Sequence, residues 1–265
     1  MGGNGKIMST EYKIYVQKIK KNKFLIYFTQ IFIFILFIFL WQYLSDKNYI
    51  NSFISSSPVR IVKTIKDLYI NNNLFYHIFI TLKECLIAFI LTTTLSLLIA
   101  IIMYRFNFVA KVIEPYLIIL NSLPKVALGP IIIIWAGANQ KSIIIMAILI
   151  SIIVSIQDLY NSFMLTDKLK IKLLKTFNAT NLDILLYLVI PSNKQNIFNT
   201  LKINLSMCLI GTIMGEFLTS KAGVGYLILY GSQVFNLDLV MSGIFILSIV
   251  SIVLYLIINI LKKTL

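Results

Sequence analysis

Long apolar runs alternate with short polar stretches along this sequence, and the lengths of the runs predict helices that cross a membrane. A helix needs about 20 consecutive apolar residues to span the hydrocarbon core of a bilayer. The predicted spans are 24–44, 78–104, 112–136, 142–165, 203–218 with its flanks, and 239–261. Pro124, Gly129 and Pro130 interrupt the third span, because proline breaks the regular hydrogen bonding of a helix. The predicted fold is therefore an all-α membrane protein with six transmembrane helices.

Two of the connecting stretches have patterns of their own. Ser57-Pro58 is typical of a helix start, with serine as the cap and proline in the first helical position. Apolar residues then recur at helical spacing up to 71–73, which predicts an amphipathic helix lying on a membrane surface: Ile61, Ile65, Leu68 and Tyr69. Residues 219–238 predict a Gly-rich loop, in which Gly223 and Gly225 favour a re-entrant turn over a phosphate-binding cradle.

The longest polar stretch of the second half, residues 166–202, predicts two short helices joined by a turn. Thr166 or Asp167 can cap the first helix. An apolar and a cationic stripe then lie on different faces of this helix, formed by Leu169, Leu173 and Phe177 and by Lys168, Lys172 and Lys175. Asn178 can take the left-handed conformation that ends a helix.

The second helix of this stretch is predicted to begin near Asn181, because Thr180 and Asp183 match a capping box. Pro191 ends or bends it. A stretch of this composition is either a connecting loop with a solvated charged face or an element that docks onto a soluble partner. The pattern alone leaves both interpretations open.

Composition supports a membrane protein and limits its chemistry. Of the 265 residues, 58% are hydrophobic and 13% are charged, against about 25% charged in a soluble domain. His77 is the single histidine, and Cys85 and Cys208 lie in apolar stretches without CxxC spacing. These residues indicate neither His-based catalysis nor a metal site nor a disulfide framework. We therefore expect no catalytic residue, no metal and no cofactor bound by this chain.

The net charge of +14 would suggest a nucleic-acid partner for a soluble protein, but the positions of the cations favour a membrane explanation. If the N-terminus is cytoplasmic, the inner segments hold sixteen of the 24 Lys and Arg residues and the outer loops hold six. This asymmetry predicts a membrane protein with both termini and residues 166–202 in the cytoplasm. Residues 1–23 are expected to form a cytoplasmic tail, and residues 24–265 are expected to form one transmembrane domain. The cations are expected to contact anionic lipid headgroups, and no nucleic-acid partner is expected.

The polar stretch resembles the EAA loop of ABC importer permeases. In that family Glu-Ala-Ala, three residues, Gly, nine residues and Ile-x-Leu-Pro follow one another. Here Asn178 stands at the Gly position, and the last positions hold Leu188, Ile190 and Pro191 with the spacing kept. The Glu-Ala-Ala positions are occupied by Lys172, Leu173 and Leu174.

Three further segments within about 55–260 are similar to the nitrate/sulfonate/taurine branch of these permeases. The first is Ser57-Pro58-Val59 before the amphipathic helix. The second is LPKVALGP at 123–130, followed by Trp135-Ala136-Gly137. The third is Gly215-Glu216-Phe217, followed by GVGY at 223–226.

The resemblance implies a non-enzymatic permease subunit in a type I importer fold. Such a subunit pairs with a second permease, docks a coupling helix onto a cytoplasmic ATPase dimer, and receives solute from an extracellular or periplasmic binding protein. ATP is used by the ATPase, and this chain has no G-x-x-x-x-G-K-[ST] nucleotide loop. The expected coupling residues are Lys172, Leu173, Leu174, Phe177, Asn178, Ala179 and Pro191. Because Lys172 stands where the family has an acid, we expect an acid on the ATPase surface opposite it.

Charged residues inside the predicted spans are candidates for the translocation path. A charge at mid-span costs at least about 2.5 kcal/mol, so Lys125, next to Pro124, either lines the path of an anion or pairs with a carbonyl freed by the prolines. Glu216 either forms part of an outer gate or is an interfacial carboxylate. Lys83 and Glu84 are expected to form a structural pair.

The expected solute is a small anion such as nitrate, a sulfonate or taurine, with a heterocyclic vitamin precursor as the alternative. Three other classes of protein fit the sequence less well. A single-chain secondary transporter needs internal repeats and intramembrane acids, and a membrane-embedded enzyme needs a catalytic cluster; the sequence offers neither. The segments at 123–130 and 223–226 argue against a vitamin-type importer with a separate solute-binding membrane subunit.

Overall fold

The computed structural model describes residues 10–50, 55–71 and 73–264, and the regular elements within them are all helical. The chain divides into two compact units, Met1–Lys63 and Thr64–Leu265. Positions 1–9 of the predicted tail, and Asn72 at the predicted end of the amphipathic helix, lie outside the described residues.

The first unit contains helix α1, Thr10–Asp46, and the start of helix α2, Pro58–Asn71. Helix α1 begins inside the predicted tail, so it is longer than the predicted span 24–44. Ser57 Oγ accepts a hydrogen bond from Arg60 N at 3.4 Å, and Val59 N donates to Gln42 Oε1 of α1 at 3.1 Å. The predicted start of the amphipathic helix at Ser57-Pro58 is confirmed.

The second unit is a bundle of long helices joined by short ones. Its first half comprises α3 Leu74–Arg105, α4 Asn107–Ser122, a 3-10 turn Lys125–Leu128, α5 Gly129–Ala136 and α6 Gln140–Met164. Its second half comprises α7 Lys168–Thr176, α8 Asn181–Ile184, a π-helical turn Leu185–Val189, α9 Ile190–Ser192, α10 Lys194–Thr219, α11 Val224–Gln233 and α12 Leu237–Thr264.

Five helices of the described residues are long and apolar enough to cross a membrane, and a sixth span results if a bent pair counts as one. This pair is α4 with the 3-10 turn and α5, bent by 87° at the break. The prediction of six spans with an interrupted third span is confirmed when the bent pair is counted as one span. The break lies at Pro124, and Pro130 lies in the first turn of α5, where no backbone donor is needed.

Helix α6 lies at the centre of this unit and packs against both α3 and α10. Two glycines of α10 permit the close approach to α6. A Cβ atom at Gly211 would lie 2.5 Å from Cα of Ala147, and one at Gly215 would lie 2.8 Å from Cα of Ile143. Small residues four positions apart allow membrane helices to pack backbone to backbone.

Buried polar side chains also join these three helices. Asn204 Nδ2 donates to Thr93 Oγ1 at 2.7 Å, and Cys208 Sγ lies 3.3 Å from Ser151 Oγ. Cys85 and Cys208 are both free and buried. A polar group in an apolar bundle is stabilised when it finds a partner on a neighbouring helix, so this set of contacts links α3, α6 and α10.

One predicted boundary is wrong, and one predicted loop contains a helix. Helix α10 begins at Lys194, so the polar stretch predicted to reach 202 ends near Asn193. Lys202 lies on α10, where its Nζ is 4.7 Å from the ring centre of Tyr255, a contact that favours a cation in apolar surroundings. The predicted loop 219–238 contains helix α11 of 10 residues.

Candidate functional site

The polar segment between α6 and α10 is the first candidate site. Asp167 caps α7, because its Oδ1 accepts a hydrogen bond from Leu169 N at 2.8 Å. Thr166, the other predicted cap, is buried and accepts a hydrogen bond from Asn193 instead. Helix α7 ends at Thr176, and Phe177 follows it.

Helix α7 has one face turned towards the bundle and another turned away from it. Ile171 and Leu174 are half-buried and pack against an apolar cluster from α3, α4, α6 and residues 184–189. The three residues of the predicted apolar stripe, in contrast, are 74%, 57% and 72% exposed: Leu169, Leu173 and Phe177. The lysines of the helix are exposed as well: Lys168, Lys170, Lys172 and Lys175. The segment therefore presents apolar side chains and cations outwards together.

The turn after α7 has the predicted conformation. Asn178 has φ 58°, which is left-handed, and Ala179 N donates to Leu174 O at 3.1 Å. A left-handed residue is what the glycine of the EAA pattern supplies, and asparagine tolerates this conformation better than most residues do. Of the expected coupling residues, Leu174 and Ala179 face the bundle, whereas Asn178 is exposed.

The predicted capping box at the start of α8 is confirmed. Thr180 N donates to Asp183 Oδ2 at 2.8 Å, and Asp183 N donates to Thr180 Oγ1 at 3.2 Å. Hydrogen bonds from the Thr180 side chain and backbone hold the pKa of the exposed Asp183 carboxyl below its usual value. Because the pKa is lower in the folded state, the box is fully formed at neutral pH and is lost only as pH falls through that lowered pKa.

The chain does not leave the helical path at Pro191. Helix α8 continues through the π-helical turn Leu185–Val189 into α9, and Pro191 lies in the first turn of α9. The wider π turn accommodates a proline that lacks a backbone donor. Asn193, with φ −98° and ψ 10°, lies between α9 and α10.

Asn193 closes the segment. Its Nδ2 donates to Thr166 Oγ1 at 2.8 Å and to Val189 O at 2.9 Å. Asn193 and Thr166 are 5% and 6% exposed, so the hydrogen bond between them is shielded from water. The sequence did not predict this contact, which joins the end of α6 to the start of α10.

The second candidate site is the break of the third span. Lys125 begins the 3-10 turn there and is half-buried. Its Nζ donates to Asn121 Oδ1 at 3.0 Å. The ammonium thus has a neutral side-chain partner one helical turn away, and Pro124 beside it is exposed.

The third candidate site surrounds Glu216, near the end of α10 opposite to the polar segment. Glu216 is 0% exposed within the bundle. Its Oε1 accepts from Thr81 Oγ1 at 2.6 Å and its Oε2 from Gly225 N at 2.6 Å. Glu84 hydrogen-bonds with Glu216, so the Lys83–Glu84 pair expected from the sequence is not its main contact.

Two glycines form the wall against the Glu216 carboxyl. Gly223 has φ 113°, and a Cβ atom at Gly225 would lie 2.6 Å from Glu216 Oε2. The neighbouring backbone N–H groups donate hydrogen bonds to side chains of α3. Gly223 N donates to His77 Nδ1 at 3.1 Å, and Val224 N donates to Thr81 Oγ1 at 2.8 Å. The Gly-x-Gly pattern is thus a cradle for an anion, and the anion is a side chain of the same protein.

Comparison with known proteins identifies the family. Residues 92–265 match the family described as binding-protein-dependent transport system inner membrane component. The chain belongs to this family. It is 27% identical to a probable ABC transporter permease of Haemophilus influenzae, over 82% of this chain and 87% of that protein.

Two other relatives carry more specific names. The permease is 24% identical to the putative aliphatic sulfonates transport permease protein SsuC of Bacillus subtilis, over 80% of this chain and 76% of that protein. It is 26% identical to the formylaminopyrimidine transport permease protein ThiX of Halalkalibacterium halodurans, over 83% of this chain and 87% of that protein.

The permease is therefore a non-catalytic, multi-pass membrane subunit of a complex with an ATPase and a substrate-binding protein. Such a subunit is not a single-chain secondary transporter. Within the described residues, no group of three or more His, Cys, Asp and Glu side chains could hold a metal ion.

Sequence reasoning missed three parts of these sites. They are the inward pair Ile171 and Leu174, the Asn193–Thr166 contact, and the partners of Glu216. A signal existed only for the first, since Ile171 and Leu174 are three positions apart on a helix.

Proposed function

We propose that this permease couples ATP hydrolysis by a cytoplasmic ATPase dimer to the passage of a small solute, and that α7 is the coupling helix. The observation that carries this proposal is the exposure of Leu173 (57%) and Phe177 (72%) on a helix whose other face is attached to the bundle. A short helix with an exposed apolar stripe fits a hydrophobic groove on a partner.

The attachments of α7 support a role in transmitting force. Asp167 fixes its start, and Ile171 and Leu174 pack against the bundle. The Asn193–Thr166 hydrogen bond ties the chain before α7 to the start of α10. A displacement of α7 is therefore passed to α6 and α10, the pair that packs closely at the centre of the bundle.

The remaining partners follow from the same proposal. Two copies of the permease form the pathway, surrounded by the lipid of a bacterial inner membrane, with the termini and α7 in the cytoplasm. The distribution of Lys and Arg supports this orientation. A binding protein delivers the solute at the opposite face.

A small anion is the solute that the chain supports best. Lys125 brings a cation to the break of the third span, with Asn121 as its neutral partner, and SsuC is named for aliphatic sulfonates. Pro124, exposed beside Lys125, belongs to the same proposed path, whereas Glu216 is buried against Thr81 and Gly225 and is proposed to act at the outer gate. A heterocyclic vitamin precursor is the second candidate, because ThiX is named for formylaminopyrimidine. Uptake by the reconstituted complex, challenged separately with excess aliphatic sulfonate and with formylaminopyrimidine, decides between them.

Coupling is tested with Leu173→Ala/Phe177→Ala. Both side chains are exposed in this chain, so the double variant should fold and insert normally. Truncating an interface anchor costs at least about 2 kcal/mol, or about thirty-fold in affinity for each residue. The tagged variant should lose the ATPase that co-purifies with the wild-type protein, and uptake should fail.

Two matched variants control this experiment. Lys172→Ala removes an exposed charge, which contributes at most about 1 kcal/mol, and Leu182→Ala removes an exposed apolar side chain outside α7. Both should retain most ATPase binding. Full ATPase binding and full uptake by the double variant would show that the polar segment between α6 and α10 is only a connecting loop.

A further inference from the structure

We propose that Glu84 is a proton-binding site: Glu84 and Glu216 hold one proton between them, and this proton keeps the N-terminus of α11 attached to α3 and α10. The proposal goes beyond solute transport, since it concerns a site that neither docks the ATPase nor needs a particular solute.

Glu216 is the ionised member of the pair. It accepts hydrogen bonds from Thr81 Oγ1 of α3 and from Gly225 N of α11, so donors from two helices converge on it. Gly225 N belongs to the first turn of α11, where the helix dipole favours a negative charge. A neutral carboxyl would present a proton to donors that need an acceptor.

Glu84 is the member that holds the proton. Its carboxyl is hydrogen-bonded to that of Glu216, and two ionised carboxylates cannot form such a bond because each can only accept. Glu84 is 3% exposed, and its Oε2 is buried without a hydrogen-bond partner. An ionised Glu84 would bury a charged oxygen that no donor satisfies, whereas the neutral acid avoids most of that penalty.

Few charged or titratable groups lie near Glu84 and Glu216 that could take the place of the proton between the two carboxyls. On α3, His77 Nδ1 already accepts from Gly223 N, Lys83 attracts Glu84 electrostatically, and Cys85 faces Glu216. On α6, Gln140 lines the same cavity as Glu84 but is neutral. Helix α11 contributes backbone donors.

A cavity gives the proton a route to water. It has a volume of about 560 Å³ and is lined by Lys83, Glu84, Gln140, Thr219, Ser220 and Lys221 among others. Loss of the proton would place two adjacent carboxylates in one buried site, with the cationic side chains of Lys83 and Lys221 at the cavity. Glu84 would then turn towards the cavity, and the link between α3 and α11 would loosen.

Infrared spectroscopy tests the proton directly. The purified wild-type complex in lipid nanodiscs should show the C=O stretching band of a protonated carboxylic acid at neutral pH. Labelling glutamate with ¹³C should shift this band, and raising the pH should abolish it. Glu84→Gln should lack the band, whereas Glu114→Gln, which removes an exposed glutamate, should retain it.

Hydrogen exchange tests the consequence. In the wild-type complex, the amides of residues 223–226 should lose protection as the pH rises through the titration of the infrared band. In Glu84→Gln, whose amide keeps a donor for Glu216, the protection should stay constant across the same range.

Three results would overturn the proposal. The first is the lack of a glutamate-derived carboxylic acid band in the wild-type complex at neutral pH, a measurement that needs no variant to fold. The second is survival of the band in a folded Glu84→Gln protein. The third is protection that follows the sodium or potassium concentration at fixed pH, which would identify a metal cation in place of the proton.

Discussion

Asn193 donates a hydrogen bond to the hydroxyl of Thr166 at 2.8 Å, and this contact closes the segment that carries α7. The two residues are separated by 27 positions, yet both are buried. A buried amide that loses its acceptor costs about 1–3 kcal/mol, so the contact both positions α7 and stabilises the bundle around it.

Thr166→Val should loosen this closure. The valine side chain has a similar shape but offers no acceptor, so Asn193 Nδ2 keeps only Val189 O as a close partner. We expect a lower unfolding temperature and less solute moved per ATP hydrolysed. Thr166→Ser keeps the hydroxyl and should behave as wild type in both measurements; equal behaviour of the valine and serine variants would show that the contact is dispensable.

Gly211→Ala should destabilise the packing of α10 on α6. The added methyl group would lie 2.5 Å from the Cα atom of Ala147, and backbone cannot move aside as a side chain can. Overpacking of this kind costs about 1–3 kcal/mol, measured as a fall in the unfolding temperature in detergent. Gly231→Ala, where the nearest atoms lie at 3.1 Å, is the control and should lose less.

Gly225→Ala should displace the Glu216 carboxyl. Its Cβ atom would lie 2.6 Å from Glu216 Oε2, so the alanine and the glutamate cannot both keep their positions. A double-mutant cycle with Glu216→Ala measures this conflict. The loss of stability caused by Gly225→Ala should be smaller when Glu216 is already truncated. Additive losses would mean that the cradle tolerates a methyl group.

Lys125→Met should weaken uptake if the cation at the break lines the path of an anion. Assembly with the ATPase should be unchanged, because residue 125 lies outside the polar segment. Lys125→Arg retains the charge and should retain most uptake, and Lys141→Met removes an exposed cation as the matched control. Wild-type uptake by Lys125→Met would assign Lys125 a structural role at the break.

Reporter fusions test the orientation. Helix α10 has 26 residues, or about 39 Å at 1.5 Å per residue, so Asn178 before it and Ala222 after it should lie on opposite sides of the membrane. A reporter after Asn178 should be active in the cytoplasm and one after Ala222 outside. An external reporter at Asn178 would be incompatible with α7 as a coupling helix.

The sequence by itself determined those features that depend on residues close together in the chain. Apolar runs specify the membrane helices because an apolar helix satisfies its own backbone in a bilayer. Thr180 and Asp183 specify the start of α8, and Asn178 specifies the left-handed turn before it, because caps are interactions within one or two turns. The break of the third span was also predictable, since Pro124 acts on its own helix.

Only the tertiary structure decided which faces of the helices meet. A membrane helix is apolar on most sides, so its periodicity does not reveal which side packs inwards. The pairing of Glu216 with Thr81, 135 positions apart, and the contact of Asn193 with Thr166 therefore have no local signature. The same reason applies to the 87° bend of the third span, because a proline predicts a break, whereas the packing of the neighbouring helices sets its angle.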